Sequence, residues 1–258
     1  MPVIPSDSCI HSVFEPAANR SPDFPLSEIE VFYVFTKDLH SRFSDLNYYI
    51  SEEEQLRADR FHSVKDKETY ITCHGLLRSI LCKILVRIPS EVVFHYDKYN
   101  KPALAGNPVY FNITNSRDAF AFVISENYYA GIDMEKTNRS MDIVPLMKTC
   151  FSEVECRHIS ASGVNDREKF FLLWTRKEAL LKAIGTGIIN NLTQIQLSER
   201  ENVINRKSFD DNLDESVFDE HFIYSEKLSD YYLSIAIPQK ARISLTQINE
   251  ENVISYLA

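Results

Sequence analysis

Two carboxylates two residues apart, Asp133 and Glu135, form the most informative pair of side chains in the sequence. A strand is predicted over residues 129–134, and in a strand residues two apart point to the same face. Two like charges held together are unfavourable unless a cation lies between them, and hard oxygen ligands suit Mg²⁺. Gly131 just upstream is interpreted as room for a ligand to approach the backbone. The alternative interpretation is an acidic, solvated strand end.

A second polar pair, Glu178 and Lys182, lies on the strongest predicted helix, residues 166–184. Four residues apart, the two side chains share one helix face. By themselves they are more consistent with a surface ion pair worth about 0.3–0.5 kcal/mol than with site groups. Combined with the first pair, Glu178 completes a candidate Mg²⁺ site with Asp133 and Glu135, and Lys182 faces phosphates that such a metal would hold.

The elements that must position these side chains follow from periodicity and capping signals. Predicted helices span about 51–61, 66–86, 142–149, 152–160 and 166–184, the first and fourth beginning at capping boxes. Predicted strands span 29–35, 92–96, 109–114, 120–124, 129–134, 193–197, 222–224 and 231–237. The order of strand, helices and strands occurs twice. This order predicts an α+β protein with an irregular extension over 1–28 and two α+β halves, 29–130 and 131–258.

Composition excludes several functional classes. The chain has 258 residues, of which 44% are hydrophobic and 25% charged, as expected for a soluble globular protein. A formal net charge of −9 and the lack of a long basic cluster argue against nucleic-acid binding. Five cysteines without CxxC spacing indicate a reduced compartment. No apolar segment is long enough to span a membrane, and the N-terminus lacks a secretory pattern. We therefore expect a cytoplasmic protein without membrane partners.

The segments GIDME and WTRKEALLKAIGTG, some forty residues apart, resemble the paired signature of the 4′-phosphopantetheinyl transferases of the surfactin-synthetase-activating type. That signature is close to G-[IV]-D-x-E followed by W-x-x-K-E-[AS]-x-x-K-x-x-G-x-G. Its fixed positions correspond here to Gly131, Asp133, Glu135, Trp174, Lys177, Glu178, Ala179, Lys182, Gly185 and Gly187. The resemblance covers about residues 50–240.

The resemblance implies a pseudodimer of two similar α+β halves, with coenzyme A in the cleft between them. Asp133, Glu135 and Glu178 would coordinate Mg²⁺, or alternatively Mn²⁺. Glu178 would take the proton from a carrier-protein serine, directly or through a water. Lys182 would neutralise phosphate charge and protonate the departing 3′,5′-ADP. Such chemistry depends mainly on positioning and charge stabilisation.

The same resemblance predicts the residues that contact coenzyme A, which is a substrate. They are Arg57, His74, Lys101, Thr114, Asn115, Asp133, Lys177 and Lys182. Asn100 stands where the family has a turn glycine before Lys101, and Asn tolerates the same left-handed conformation. Asn115 replaces a family His and His74 replaces a frequent Arg, so we expect weaker coenzyme A binding than in a typical member.

The implied partner is an apo acyl or peptidyl carrier protein, and the implied oligomeric state is a monomer. A basic cluster near Arg57 and Arg60, or the Met-containing segment 136–148, would suit an acidic carrier, although packing explains the apolar residues of 136–148 equally well. Two alternatives remain open: another Mg²⁺-dependent transferase acting on a nucleotide, and a non-catalytic protein that binds coenzyme A or a carrier. The sequence does not reveal which pathway is served.

Overall fold

The computed structural model describes residues 14–16, 29–98, 101–106, 108–138, 140–161, 163, 166–185, 192–197 and 221–258. The strands are β1 (Phe14–Pro16), β2 (Ile29–Phe35), β3 (Phe94–Tyr96), β4 (Pro102–Leu104), β5 (Tyr110–Ser116), β6 (Ala119–Ser125), β7 (Gly131–Lys136), β8 (Phe222–Leu228), β9 (Tyr231–Ile237) and β10 (Ile243–Gln247). The α-helices are α1 (Phe43–Asn47), α2 (Glu52–Ala58), α3 (Val64–Leu85), α4 (Val144–Cys150), α5 (Glu153–Ser160) and α6 (Asp166–Ile184).

Two larger sheets organise these elements. One has the strand order β1-β10-β2-β6-β5, and the other has the order β7-β9-β8. The strands β2, β6 and β5 are antiparallel neighbours, as are β7, β9 and β8. The late strand β10 joins the first sheet parallel to β2. The strands β5 and β7 are thus edge strands of different sheets.

The strands alternate their side chains between two cores, as the period of two requires. Phe32 of β2 and Phe120 of β6 face a cluster that also contains Leu76 of α3. The residues next to them along the same strands point to the opposite face, towards the second sheet, and pack against Ile132 and Met134 of β7. The layers therefore run helix, sheet, sheet, helix, with α6 packed on the outer face of the second sheet. Asp133, which lies between these two apolar residues of β7, consequently points towards α6.

The prediction of an α+β protein is confirmed, and the predicted strand 29–35 coincides with β2. The predicted strand 193–197 is wrong, because Leu192–Gln194 forms a 3₁₀ turn and the following residues are not in a strand. The extension over 1–28, expected to be irregular, contributes the short strand β1. The acidic segment 205–220 lies outside the described residues. The division into halves at 130–131 stays a prediction, and β10 shows that the chain returns to the first sheet after it.

Candidate active site

Gly131 fixes how closely α6 crosses β7. A Cβ atom at this position would lie 1.9 Å from the Ala179 carbonyl oxygen and 2.3 Å from the Ala183 nitrogen. The space beside Gly131 is therefore occupied by the helix backbone, and the interpretation that it admits a ligand is wrong. Close crossing has a chemical consequence, because it brings the polar face of α6 directly over the carboxylates of β7.

The Asp133 carboxylate has two oxygens in different surroundings. Its Oδ1 accepts hydrogen bonds from Lys182 Nζ at 2.7 Å and from Thr114 Oγ1 at 3.1 Å. Its Oδ2 is shielded from solvent and has no hydrogen-bond partner among the described residues. A buried carboxylate oxygen without a donor is costly, so this atom is suited to bind a cation or a donor from a ligand.

Glu178 shares the electrostatic environment of the β7 carboxylates. Burial, followed by the negative charge of Asp133, raises the pKa of Glu178 to about 7; Lys182 opposes this shift and Glu135 adds to it. No group of three acidic, histidine or cysteine side chains within the described part of the chain has the spacing of a metal site. The three-carboxylate Mg²⁺ site therefore stays a prediction, supported by the proximity of the charges and by the unpaired Asp133 Oδ2.

Three side chains of β5 join the edges of the two sheets. Asn112, Thr114 and Ser116 lie two residues apart and accept hydrogen bonds from backbone N–H groups of β7. The donors are Ile132 at 3.2 Å, Met134 at 3.3 Å and Lys136 at 3.4 Å. Side chains thus replace the backbone carbonyls that would pair β7 in a continuous sheet.

Two of these bridging hydroxyls also orient the candidate carboxylates. Thr114 donates to Asp133, as described above, and Ser116 Oγ donates to Glu135 Oε2 at 2.7 Å. Each hydroxyl has one proton, and since its oxygen accepts a backbone N–H, that proton is directed to the carboxylate. Sequence reasoning identified Thr114 but missed Ser116, whose position two residues later on the same strand face was the available signal.

A cavity of about 620 Å³ lies beside these groups. It is lined by seven of the predicted site residues, which are Arg57, His74, Lys101, Thr114, Asn115, Glu178 and Lys182. Arg117, Tyr70 and Tyr96 also line it and were not predicted. Because α2, α3, β5 and α6 all contribute, the walls come from both the first and the second part of the chain. A cavity of this size and mixed polarity accommodates a nucleotide-sized ligand.

Lys101 and Lys182 both line the cavity, and their positive charges act on each other. Lys101 Nζ donates to the Lys182 carbonyl oxygen at 2.5 Å and lies over the Tyr129 ring at 5.1 Å. Burial lowers the pKa of Lys101 to about 8; Asp97 opposes this shift and Lys182 adds to it. An anionic ligand would relieve the repulsion between the two amines. The adjacent turn residue Asn100 lies outside the described residues, as does Gly187.

A second group of polar side chains surrounds Glu54, the third residue of α2, which forms a capping box with Ser51. Its carboxylate accepts hydrogen bonds from Arg78 Nε and pairs with His74 Nδ1 at 3.1 Å. The His74 ring stacks on Tyr70 with 4.0 Å between centroids, and the Arg57 guanidinium lies 5.9 Å from the centre of the same ring. His74 and Arg57 thus line the cavity together with the Tyr70 ring, and their contact with coenzyme A stays a prediction.

Lys177 lies apart from the other predicted coenzyme contacts. Its Nζ is buried and donates to Glu155 Oε2 at 2.8 Å, to the Cys150 carbonyl at 2.7 Å and to the Leu192 carbonyl at 2.9 Å. All three ammonium protons are thereby used within the protein. The resemblance implied that Lys177 contacts coenzyme A. In this structure its side chain instead joins α6 to Glu155 of α5, to Cys150 at the end of α4 and to Leu192.

Comparisons with known proteins identify the family of this chain. Residues 129–236 match the family described as the 4′-phosphopantetheinyl transferase superfamily. The chain belongs to this family, which confirms the resemblance found in its signature.

Three named relatives are similar to this chain over longer segments than the signature. The chain is 30% identical over 176 residues to the 4′-phosphopantetheinyl transferase HetI of Nostoc sp., covering 66% of this chain and 74% of HetI. It is 33% identical over 148 residues to the transferase gsp of Aneurinibacillus migulanus, covering 57% and 60% of the two chains. It is 28% identical over 143 residues to Sfp of Bacillus subtilis, covering 54% and 62%.

Proposed function

We propose that this chain transfers the 4′-phosphopantetheine group of coenzyme A to a serine of an apo acyl or peptidyl carrier protein, releasing 3′,5′-ADP. The observation that carries the proposal is the cavity in which Glu178, Lys182 and Lys101 converge beside the Asp133 carboxylate. The names of the relatives, all 4′-phosphopantetheinyl transferases, support the same reaction.

Asp133, Glu135 and Glu178 are the residues that would hold Mg²⁺, or Mn²⁺ in its place. Their carboxylate oxygens are the hard ligands that these ions prefer, and Asp133 Oδ2 still lacks a partner among the described residues. When bound, the ion would supply positive charge to the diphosphate of coenzyme A. Thr114 and Ser116 would keep the β7 carboxylates in the orientation that their hydrogen bonds impose.

Glu178 would act as the base for the carrier serine. The serine oxygen forms a bond to the phosphorus that bears pantetheine, and the bond from that phosphorus to the oxygen of 3′,5′-ADP breaks. The serine proton goes to Glu178, directly or through a water, and Lys182 gives a proton to the leaving phosphate. A carboxylate whose pKa is raised towards neutrality is suited to accept this proton.

Lys101, Asn115, Arg57 and His74 would bind the coenzyme along the cavity walls. Lys101 and Lys182 together offer two amines to the phosphates, and the Tyr70–His74 stack offers a flat aromatic surface. Lys177 is left out of this set because its ammonium is buried in contacts within the protein.

The structure contains a parallel that supports two similar halves with the site between them. In the first half the capping-box residue Glu54 of α2 pairs with Arg78 of α3. In the second half the capping-box residue Glu155 of α5 pairs with Lys177 of α6. In each case a short capped helix gives its third residue to a buried cation of the long helix that follows.

The cellular setting is part of the proposal. We expect the protein to act as a cytoplasmic monomer, and the monomer is supported by a cavity whose described lining comes from both parts of one chain. None of the helices in the described residues combines the length and apolar character that crossing a bilayer requires.

The decisive experiment incubates the protein with coenzyme A, Mg²⁺ and several apo carrier proteins, followed by intact mass measurement of each carrier. A gain equal to one phosphopantetheine group supports the proposal. Binding of coenzyme A without any gain on any carrier would instead favour a non-catalytic binding protein.

Matched variants on one helix make the assay specific. Glu178→Gln removes the proposed base and is expected to abolish labelling. Glu168→Gln, on the same helix, removes only an exposed ion pair with Lys227 of β8 and is expected to leave labelling unchanged. Equal labelling by the two variants would contradict the role of Glu178.

A further inference from the structure

Arg117 lines the cavity beside Asn115, and neither the sequence signature nor the proposed reaction assigns it a role. It is the first residue of the two-residue turn between β5 and β6, which follows the last pair of these strands, Ser116 with Ala119. Its side chain is exposed. Within the described part of the chain, no hydrogen bond or ion pair involves its guanidinium. A cation is therefore available at the rim of the cavity.

The backbone of Arg117 has a conformation that favours glycine. Its φ is 56°, one of three positive values among the described non-glycine residues. Two-residue hairpin turns with a positive φ at the first position prefer glycine there, because a Cβ atom is sterically unfavourable in this region. A non-glycine residue held in this conformation beside a cavity points to a role for its side chain.

The acidic neighbour of Arg117 does not neutralise it. Asp118 Oδ1 accepts a short hydrogen bond from the Tyr231 hydroxyl, and Asp118 Oδ2 lies 3.3 Å from Lys136 Nζ. Burial by itself would raise the pKa of Asp118, but these two partners hold it below its usual value. The Asp118 carboxylate is thus directed towards β7 and β9, and no ion pair joins it to Arg117 among the described residues.

We propose that Arg117 binds the ribose 3′-phosphate of coenzyme A and so selects coenzyme A over 3′-dephospho-coenzyme A. This inference rests on the proposed function. Coenzyme A has two anionic centres, and the proposed reaction assigns its diphosphate to the groups around Asp133 and Lys182. The 3′-phosphate is the remaining anion, and Arg117 is an exposed cation of the cavity lining that has no other assigned role. A guanidinium can hold a phosphate through two parallel hydrogen bonds.

This role changes the expectation for Asn115. The amide of Asn115 can donate hydrogen bonds to a phosphate but carries no charge. Arg117, two residues later and part of the same cavity lining, would supply that charge. The weak coenzyme binding expected from Asn115 and His74 would then be offset.

The test measures by titration calorimetry the dissociation constants of coenzyme A and of 3′-dephospho-coenzyme A. Arg117→Gln is expected to weaken coenzyme A binding roughly 10-fold to 100-fold, the usual effect of losing a hydrogen bond to a charged group. Binding of the dephospho form is expected to change less than about 2-fold on this scale. Arg117→Lys should recover part of the selectivity. The control Arg87→Gln alters an exposed arginine that does not line the cavity.

A glycine variant separates folding from binding. Arg117→Gly is expected to raise the melting temperature, since it removes the conformational strain, while losing selectivity as Arg117→Gln does. Equal weakening of both ligands by Arg117→Gln, or no weakening of either, would overturn the inference. If the wild-type chain bound neither ligand and labelled no carrier, the proposed function itself would fail, so the two failures are distinguishable.

Discussion

Lys182 Nζ lies 2.7 Å from Asp133 Oδ1, and this contact joins the last turn of α6 to β7 at the site. The other oxygen of the same carboxylate is buried without a partner among the described residues. Asp133 therefore has one oxygen that Lys182 and Thr114 hold in place and one that can still accept a donor or bind a cation. This asymmetry makes Asp133 the first residue to test.

We predict that Mg²⁺ stabilises the protein and that Asp133→Asn abolishes the effect. A ligand present at 100 times its dissociation constant stabilises the folded state by about 2.7 kcal/mol. The measurement is the free energy of unfolding with and without Mg²⁺, with Glu168→Gln as the control. An undiminished Mg²⁺ effect in Asp133→Asn would show that the ion binds elsewhere.

We predict that Ser116→Ala weakens the site without unfolding the chain. The change removes the hydroxyl that donates to Glu135 at 2.7 Å, so the carboxylate loses its fixed orientation. The Mg²⁺ concentration needed for half-maximal labelling is expected to rise about 10-fold, the usual scale for supporting partners of metal ligands. Ser90→Ala, at an exposed position outside the cavity lining, is the control. An unchanged Mg²⁺ dependence would argue against this role.

We predict that Gly131→Ala disrupts the contact between α6 and β7. The added methyl group would lie 1.9 Å from the Ala179 carbonyl oxygen, so the helix must move away from the strand. Overpacking of this kind costs about 1–3 kcal/mol. Labelling activity should fall together with stability, as measured by denaturant unfolding. Gly106→Ala is a useful comparison, because its Cβ would meet no atom within 4 Å and only its positive φ would cause strain.

We predict that Lys177→Met lowers stability by about 3–5 kcal/mol, because it leaves the buried Glu155 carboxylate without its cation. The double variant Lys177→Met/Glu155→Leu should recover part of the loss. Coenzyme A affinity, measured on folded protein at low temperature, is expected to stay within about 2-fold of wild type. A stable Lys177→Met protein with lost affinity would instead favour a coenzyme contact.

We predict that the Glu54 carboxylate makes stability depend on pH. Burial by itself would raise its pKa, but His74, Arg78 and Ser51 outweigh burial and hold the pKa below the usual 4.5. With a lowered folded-state pKa, this stabilisation is present above about pH 4.5 and is lost as pH falls through the folded-state pKa.

Glu54→Gln provides the measurement of this effect. It should cost about 3 kcal/mol at pH 7, since Arg78 then lacks its buried counter-charge. The difference between wild type and variant, followed by denaturant unfolding from pH 7 to pH 3, should shrink at the acidic end. A constant difference over this range would contradict the assignment.

The sequence by itself determined which residues could do chemistry and on which elements they lie. The spacing of Asp133 and Glu135 on a strand, and of Glu178 and Lys182 on a helix, follows from local periodicity, which the backbone geometry imposes wherever those elements form. The capping boxes of α2 and α5 are likewise local signals, and the structure confirms both.

Only the tertiary structure decided what lies beside those residues. A helix such as α6, with apolar residues on most of its faces, gives no local sign that Lys177 would be buried against Glu155, which lies 22 positions earlier. The same holds for the space beside Gly131, filled by a backbone from another element, and for β10 pairing with β2 across the chain. Such contacts depend on the relative placement of distant segments, and periodicity of 2 or 3.6 residues carries no information about that placement.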